Sequence, residues 1–362
     1  MIRAEDLSQS PTWFPLELTG PESVRLIRLD EAAYRAASFL DQRILAASPE
    51  ETLCSTEVLR AAAAELAPAL NYIFHIGHVG STLISRLIGE HTRFFSLREP
   101  ALLREMGAGG EPAPGESTAP LRTEALSLGV LLRLLARTFH PGQRAVVKAS
   151  SFVSETAPLI LAGSEKPAAV FMYAQPAAYL RGILGGPNSR IEAQRLAPSR
   201  LKRLVQRLGP GEWQAGLRSE GEYLAMSWLC EMTALNEAAS APGEGDHAAR
   251  TRVLWVDFDA FLADPISGLS EIVRALGGSP GAREIEELVT GPLMRQYSKA
   301  PEHAYDANLR QQVLAAAERQ YGAEVRRGMD WLQNVAVRHP IIGQVLESRE
   351  PRRQAIPRLP PR

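Results

Sequence analysis

The stretch Tyr72–Glu90 constrains this chain more than any other. A short β-type run, Tyr72–Ile76, stops at Gly77. The turn Gly77–Ser81 follows, and Thr82–Glu90 begins an amphipathic helix with apolar Leu83, Ile84, Leu87 and Ile88. A turn of this kind between a buried strand and a helix start lines up free backbone N–H groups, and the helix dipole adds positive potential there. Gly77 and Gly80 permit positive φ and a close approach to an anion. Ser81 and Thr82 supply hydroxyls in the first turn. The expected site therefore comprises Gly77, His78, Val79, Gly80, Ser81 and Thr82 and holds a phosphate or sulfate. The plainer alternative is a strand, turn and helix with an ordinary N-cap. The NTPase pattern GxxxxGK[ST] is not met, because Gly80 precedes Ser81 where that pattern has lysine.

Further runs surround this segment. Ser23–Leu29 reads as a strand. Asp30–Leu45 and Ser55–Leu66 read as helices with Asp30 and Ser55 as N-caps. Ala145–Lys148, Ala168–Tyr173 and Val253–Phe258 read as further core strands, the middle one continuous and apolar as in buried parallel sheets. Leu121–Phe139, Ala177–Leu184 and most of Ile191–Ser240 are helical, and Asp264 with Pro265 opens another helix at Pro265–Leu276. Gly107–Pro120 reads as a mobile loop. Strands alternating with helices predict an α/β fold, a mostly parallel sheet with helices on both faces and a helical C-terminal part. The expected layout is an N-terminal lead-in or cap over 1–70, a main domain over 71–345 and a disordered basic, Pro-rich tail over 346–362.

A formal net charge of −1 gives no global attraction to nucleic acid or anionic membrane. Cys54 and Cys230 show no metal or CxxC spacing and read as buried free thiols. The first fourteen residues lack the apolar core of a secretory signal, and no uncharged apolar run reaches the ~18 residues of a membrane span. Cytoplasmic placement is the expectation, with no nucleic acid or membrane partner; oligomeric state is unreadable.

The Gly77-His78-Val79-Gly80-Ser81-Thr82 turn resembles the 5′-phosphosulfate loop of sulfotransferases, which carry Pro-Lys/Arg-Ser-Gly-Thr/Ser-Thr after the first strand. Ser96-Leu97-Arg98-Glu99-Pro100 looks like the S-x-x-E-P element of bacterial sulfotransferase-like proteins. Val253–Pro265 is similar to their late Y-E-D-L-x-x-D-P strand and helix. The resemblance spans roughly residues 70–280. It implies the P-loop fold, 3′-phosphoadenosine 5′-phosphosulfate (PAPS) as donor without a catalytic metal, and a small-molecule or carbohydrate acceptor. Three departures stand out. The family's loop Lys/Arg falls on His78. Its Arg-Asp-Pro motif for the 3′-phosphate, with the Ser that follows, falls on Ala174-Gln175-Pro176 and Gly182. The histidine of its K-T-H strand end falls on Ser150, leaving only Lys148.

Sulfuryl transfer needs donors on the transferred and leaving oxygens and a base for the acceptor proton. Lys148, one of only four lysines and the last residue of a core strand, is the candidate clamp; its alternative is a structural ion pair. Glu99 is the candidate base, or else a carboxylate serving a helix start. Ser150 could orient the acceptor or be a cap. His78 could donate to a phosphate oxygen when protonated, or be an exposed loop residue; His75 reads as a satisfied core residue. Arg181 and Arg190 could replace the missing 3′-phosphate anchor, the alternative being a solvated helix face, and Lys299 could reach the site from a later loop. Val253–Asp257 also resembles a Walker B strand, so a Mg²⁺-dependent small-molecule kinase or NTPase is the competing reading, and a non-catalytic nucleotide-binding or scaffold protein the third.

Overall fold

The computed structural model describes residues 2–107, 126–211, 213, 219–240, 252–298 and 302–347. Two sheets organise it. Trp13–Gly20 (β1), Ser23–Arg28 (β2) and Glu51–Ser55 (β3) form an antiparallel sheet in that order. Leu70–His75 (β4), Phe94–Arg98 (β5), Arg144–Lys148 (β6), Ala168–Tyr173 (β7) and Arg252–Asp257 (β8) form a parallel sheet of order β5-β6-β4-β7-β8.

The N-terminal part carries the helices Ala4–Gln9 (α1), Glu31–Ala36 (α2) and Thr56–Ala64 (α3). Ser81–Glu90 (α4) links β4 to β5, and Ala101–Gly107 (α5) and Leu128–Leu135 (α6) lie before β6. A 3₁₀ turn, Ser151–Thr156, and Ala157–Ala162 (α7) link β6 to β7. Pro176–Leu184 (α8), Pro187–Leu208 (α9) and Glu220–Ser240 (α10) precede β8. Phe258–Ala263 (α11), Pro265–Ala275 (α12), Ala282–Thr290 (α13), Ala307–Arg338 (α14) and Pro340–Glu347 (α15) complete the order. Among the described residues no helix is long and apolar enough to cross a membrane.

The topology locates a crevice. The chain leaves β4 through α4 toward β5 on one side of the sheet, and leaves β6 toward β7 on the other. Right-handed crossovers that travel in opposite directions put their helices on opposite faces. The two chains therefore diverge between neighbouring β4 and β6, the switch point where ligands sit beyond the strand ends. β4 and β7 are buried at every residue, which accounts for the unbroken apolar run of β7 and the largely apolar one of β4. Of the two polar residues buried in β4, Asn71 and His75, the first bonds on both sides: its Nδ2 donates to the Leu276 carbonyl at 2.8 Å and its Oδ1 accepts from the Ala168 N–H at 3.0 Å.

Several expectations change. Asp30 does cap a helix, accepting from the Ala33 N–H at 2.7 Å, but that helix ends at Ala36, and Gln42–Ala47 is a separate 3₁₀ turn. The reason is tertiary. Arg98 donates to the carbonyls of Tyr34, Arg35 and Ala37, and Arg86 to that of Ala36, so the last carbonyls of α2 are taken by guanidinium groups. Strands β1 and β3 and helix α11 fall where no element was expected. The helix expected over Leu121–Phe139 is confined to Leu128–Leu135 among the described residues. The Gly107–Pro120 loop beyond Gly107, Lys299 and the Glu350–Arg362 tail lie outside them. Cys54 and Cys230 are both free and buried.

Candidate anion site at the switch point

The turn after β4 is built from left-handed backbone. Gly77 has φ +85°, His78 +55° and Gly80 +63°. Left-handed residues this close together make a tight turn of the kind in which successive N–H groups can gather round an anion. Two bonds fix where the turn begins: Ile76 N–H donates to the Met172 carbonyl at 3.2 Å, and Gly77 N–H donates to His75 Nδ1 at 3.0 Å. His75 is thus a buried residue that bonds its own loop. Gly80 is the N-cap of α4 and supplies no side-chain cap, so the first N–H groups of that helix are left to other acceptors. Among the described residues none accepts from the backbone N–H of Val79, Ser81 or Thr82.

Hydroxyls converge on the same end of the sheet. Thr82 Oγ1 and Ser150 Oγ are buried, and neither has a hydrogen-bond partner among the described residues. A buried polar group without a partner costs free energy, so each such atom calls for an explanation. The two come from the two segments that diverge at the switch point. Those segments also approach one another directly, because a Cβ placed on Gly77 would lie 3.8 Å from Ser151 Oγ.

Lys148 is fully buried at the end of β6, and its Nζ donates to Glu99 Oε1. Glu99 stands one residue beyond β5 with φ +50°, a conformation few non-glycine residues adopt, and its N–H donates to the Lys148 carbonyl at 2.7 Å. Backbone strain of this sort persists only where surrounding structure enforces it and clusters at functional positions. Sequence reasoning named both residues but assigned them separately; the structure makes them one pair.

The other candidates sit further round. His78 is reached from α9: Ser189 Oγ lies 3.3 Å from its Nδ1 and Glu192 Oε2 3.5 Å from its Nε2. Arg190 donates to both oxygens of Glu220, at 2.8 and 2.6 Å, and to Tyr321 Oη at 3.0 Å. Arg181 donates to the Ala177 carbonyl at 3.0 Å and lies 3.7 Å from Glu318. The partners of both arginines are therefore on α8, α10 and α14, not on the loop. Asp257, the acid of the Walker B-like run, caps α11: its Oδ1 accepts from the N–H groups of Asp259 at 2.9 Å and Ala260 at 3.2 Å.

Phe258 and Arg310 were not foreseen. Phe258 packs its ring against Gly80, and Arg310 binds Asp259 beside it. In the sequence Phe258 reads as the end of an apolar strand, and Arg310 as one arginine among many on a long helix.

Fold and site together define a doubly wound parallel α/β protein with a left-handed, glycine-containing loop at its switch point. No family model matches the chain, and no curated protein matches it in sequence. Its structure is similar to sulfotransferases. These include the sulfotransferase domain from the curacin biosynthetic pathway, at 16% identity, TM-score 0.38, over 74% of this chain and 98% of that one. A sulfotransferase from Alicyclobacillus acidocaldarius matches at 16% identity, TM-score 0.36, over 62% and 90%. Mouse sulfotransferase SULT7A1 complexed with PAP matches at 12%, TM-score 0.37, over 82% and 96%. At such identities and TM-scores these likenesses carry no argument about what this chain binds; the geometry of the site has to do so.

Proposed function

We propose that the chain is a sulfotransferase-like transferase that takes a sulfuryl group from PAPS and passes it to a small-molecule or carbohydrate acceptor. One observation carries this reading: the buried, unpartnered hydroxyls of Thr82 and Ser150 flank a left-handed loop at the switch point, beside the Lys148–Glu99 pair.

The roles follow from the chemistry. Backbone N–H groups of the loop, with Ser81 and Thr82, hold the donor's 5′-phosphate. In the resting chain the Lys148 ammonium and the Glu99 carboxylate neutralise one another. A donor anion competes for the ammonium, and Glu99 is then free to accept the acceptor's proton as its oxygen attacks sulfur and the sulfur–phosphate oxygen bond breaks. Lys148 stabilises the charge that develops on the leaving phosphate, and Ser150 orients the acceptor. Arg190 can serve a 3′-phosphate only if that phosphate displaces Glu220.

The test is calorimetric titration of 3′-phosphoadenosine 5′-phosphate (PAP) into wild type, Ser81→Ala, Thr82→Ala and Lys148→Ala. Loss of one charge-assisted hydrogen bond, about 1.5–3 kcal/mol, weakens binding about tenfold or more. Equal affinity in all four proteins sinks the assigned site. Binding of ATP that needs Mg²⁺, without binding of PAP, would favour the kinase or NTPase reading, and binding of neither nucleotide a non-catalytic scaffold.

A further inference from the structure

We infer that Phe258, Asp259 and Arg310 form a brace that sets the conformation of the anion loop, with Arg310 a positioning residue that acts through Phe258. The inference rests on the anion-site reading above and adds to it three residues that no loop motif contains.

Consecutive residues at the end of β8 do three different things. Asp257 caps α11 and so fixes the turn that follows. Phe258, 2% exposed, points its ring edge at the anion loop: a Cβ built on Gly80 would lie 2.0 Å from Cε2 and 2.2 Å from Cζ. The ring therefore touches the Gly80 backbone itself. Asp259 turns its carboxylate to α14, where Arg310 donates to both of its oxygens, from Nη2 at 2.9 Å and from Nε. The guanidinium carbon of Arg310 stands 4.8 Å from the centroid of the Phe258 ring, within cation–π range. Arg310 is 6% exposed, so this contact is not a surface one.

The arrangement matters because Gly80 cannot fix itself. It has no side chain, supplies no cap, and holds φ +63° where glycine is free to move. An anion nest works only if its N–H groups are already aimed, since ordering them on binding would cost affinity. The Phe258 edge supports the loop's last residue, and the doubly bonded guanidinium over its face keeps the ring from turning away. Arg310 has its charge matched by Asp259 and reaches the loop through the ring, so its part is positioning rather than anion contact.

The test uses the full chain, with PAP as probe in calorimetry and amide hydrogen exchange read at Val79–Thr82, β4 and β7. Arg310→Gln and Phe258→Ala should each weaken PAP binding at least fivefold and speed exchange at Val79–Thr82 at least fivefold, with exchange in β4 and β7 unchanged. Arg310→Lys and Phe258→Leu should recover part of both. Variants that bind PAP as wild type does, with unchanged loop exchange, overturn the brace while leaving the anion site standing. Equal acceleration in the loop and in β4 and β7 also overturns it, by reducing the three residues to general stability. A wild-type chain that binds no PAP overturns the anion-site reading, and the brace's functional role with it.

Discussion

Glu99 and Lys148 are 49 residues apart in sequence, yet the carboxylate of one accepts from the ammonium of the other across the ends of neighbouring strands. The register sets this up. Arg98 pairs with Lys148 between β5 and β6, so the residue after Arg98 meets the lysine as its strand ends. The left-handed turn at Glu99 then directs its side chain toward a lysine that has no exposed surface.

Removing either partner should be costly, but unequally. Glu99→Gln takes the carboxylate from a fully buried ammonium and should destabilise by about 3–5 kcal/mol. Lys148→Met leaves a carboxylate whose side chain is 18% exposed and can draw on solvent, so its cost should be smaller. The double variant should be more stable than Glu99→Gln alone. Urea unfolding of the three proteins measures the order, and a Lys148→Met that is the least stable would refute it.

The two loop glycines should respond differently to a methyl group. Gly77→Ala meets only Ser151 Oγ at 3.8 Å, so the left-handed φ alone costs about 1–2 kcal/mol. Gly80→Ala adds a collision with the Phe258 ring, for a total of about 2–5 kcal/mol. Thermal melts should show the larger drop for Gly80→Ala, and Phe258→Ala in the same chain should relieve part of it.

Asp257 supplies a pH test. Burial holds its carboxyl above the usual 3.8, against the pull of the Ala260 and Asp259 N–H groups. An acid whose pKa is higher in the folded chain keeps its proton better there. Its contribution to stability is therefore fullest below 3.8 and falls as pH rises through that value toward the folded one. Asp257→Asn keeps an oxygen for the cap but removes the titration. The stability difference between variant and wild type should move in the variant's favour as pH rises from about 3 to 6. Chemical denaturation at a series of pH values reads the sign, and a shift the other way would refute it.

The helical segment between β7 and β8 carries a charged network under the surface. Glu231, 1% exposed on α10, accepts from Arg200 at 3.1 Å and from Arg203, both on α9, while Arg207 binds Glu155 in the turn after β6. Glu231→Gln leaves two buried guanidinium groups without their shared carboxylate and should cost about 3–5 kcal/mol. Glu287→Gln, which breaks the exposed Arg283–Glu287 pair, should leave the melting temperature unchanged.

What could be read in advance was what short-range physics controls. The apolar runs of β4 and β7, the caps at Asp30, Ser55 and Asp264, and the glycine turn before α4 each reside in a few adjacent residues, and each has its element in the structure. The parts that escaped depend on distant partners. The early end of α2 is set by Arg86 and Arg98, from β5 and the helix before it. β1 contains a proline and a bulge that blur its alternation, and β3 is a five-residue edge with only one fully buried side chain. At the site, Glu99 and Lys148 were visible as chemistry, but their union needs the strand order. Phe258 and Arg310 had no local signal, because the property that matters is what lies against them.

Arg137 gives the early part of the chain a weight its modest sheet would not suggest. Its buried guanidinium donates to the carbonyls of Leu7, Ser10 and Trp13 as well as to that of Leu134 in the last turn of α6. A protein trimmed to begin at Leu70 would keep that cation but lose three of its four acceptors, and would bare the apolar side chains of α6 against which α3 packs. The opening seventy residues are therefore a keel fixed to the hull: a shortened version should precipitate or misassemble rather than fold as a smaller unit.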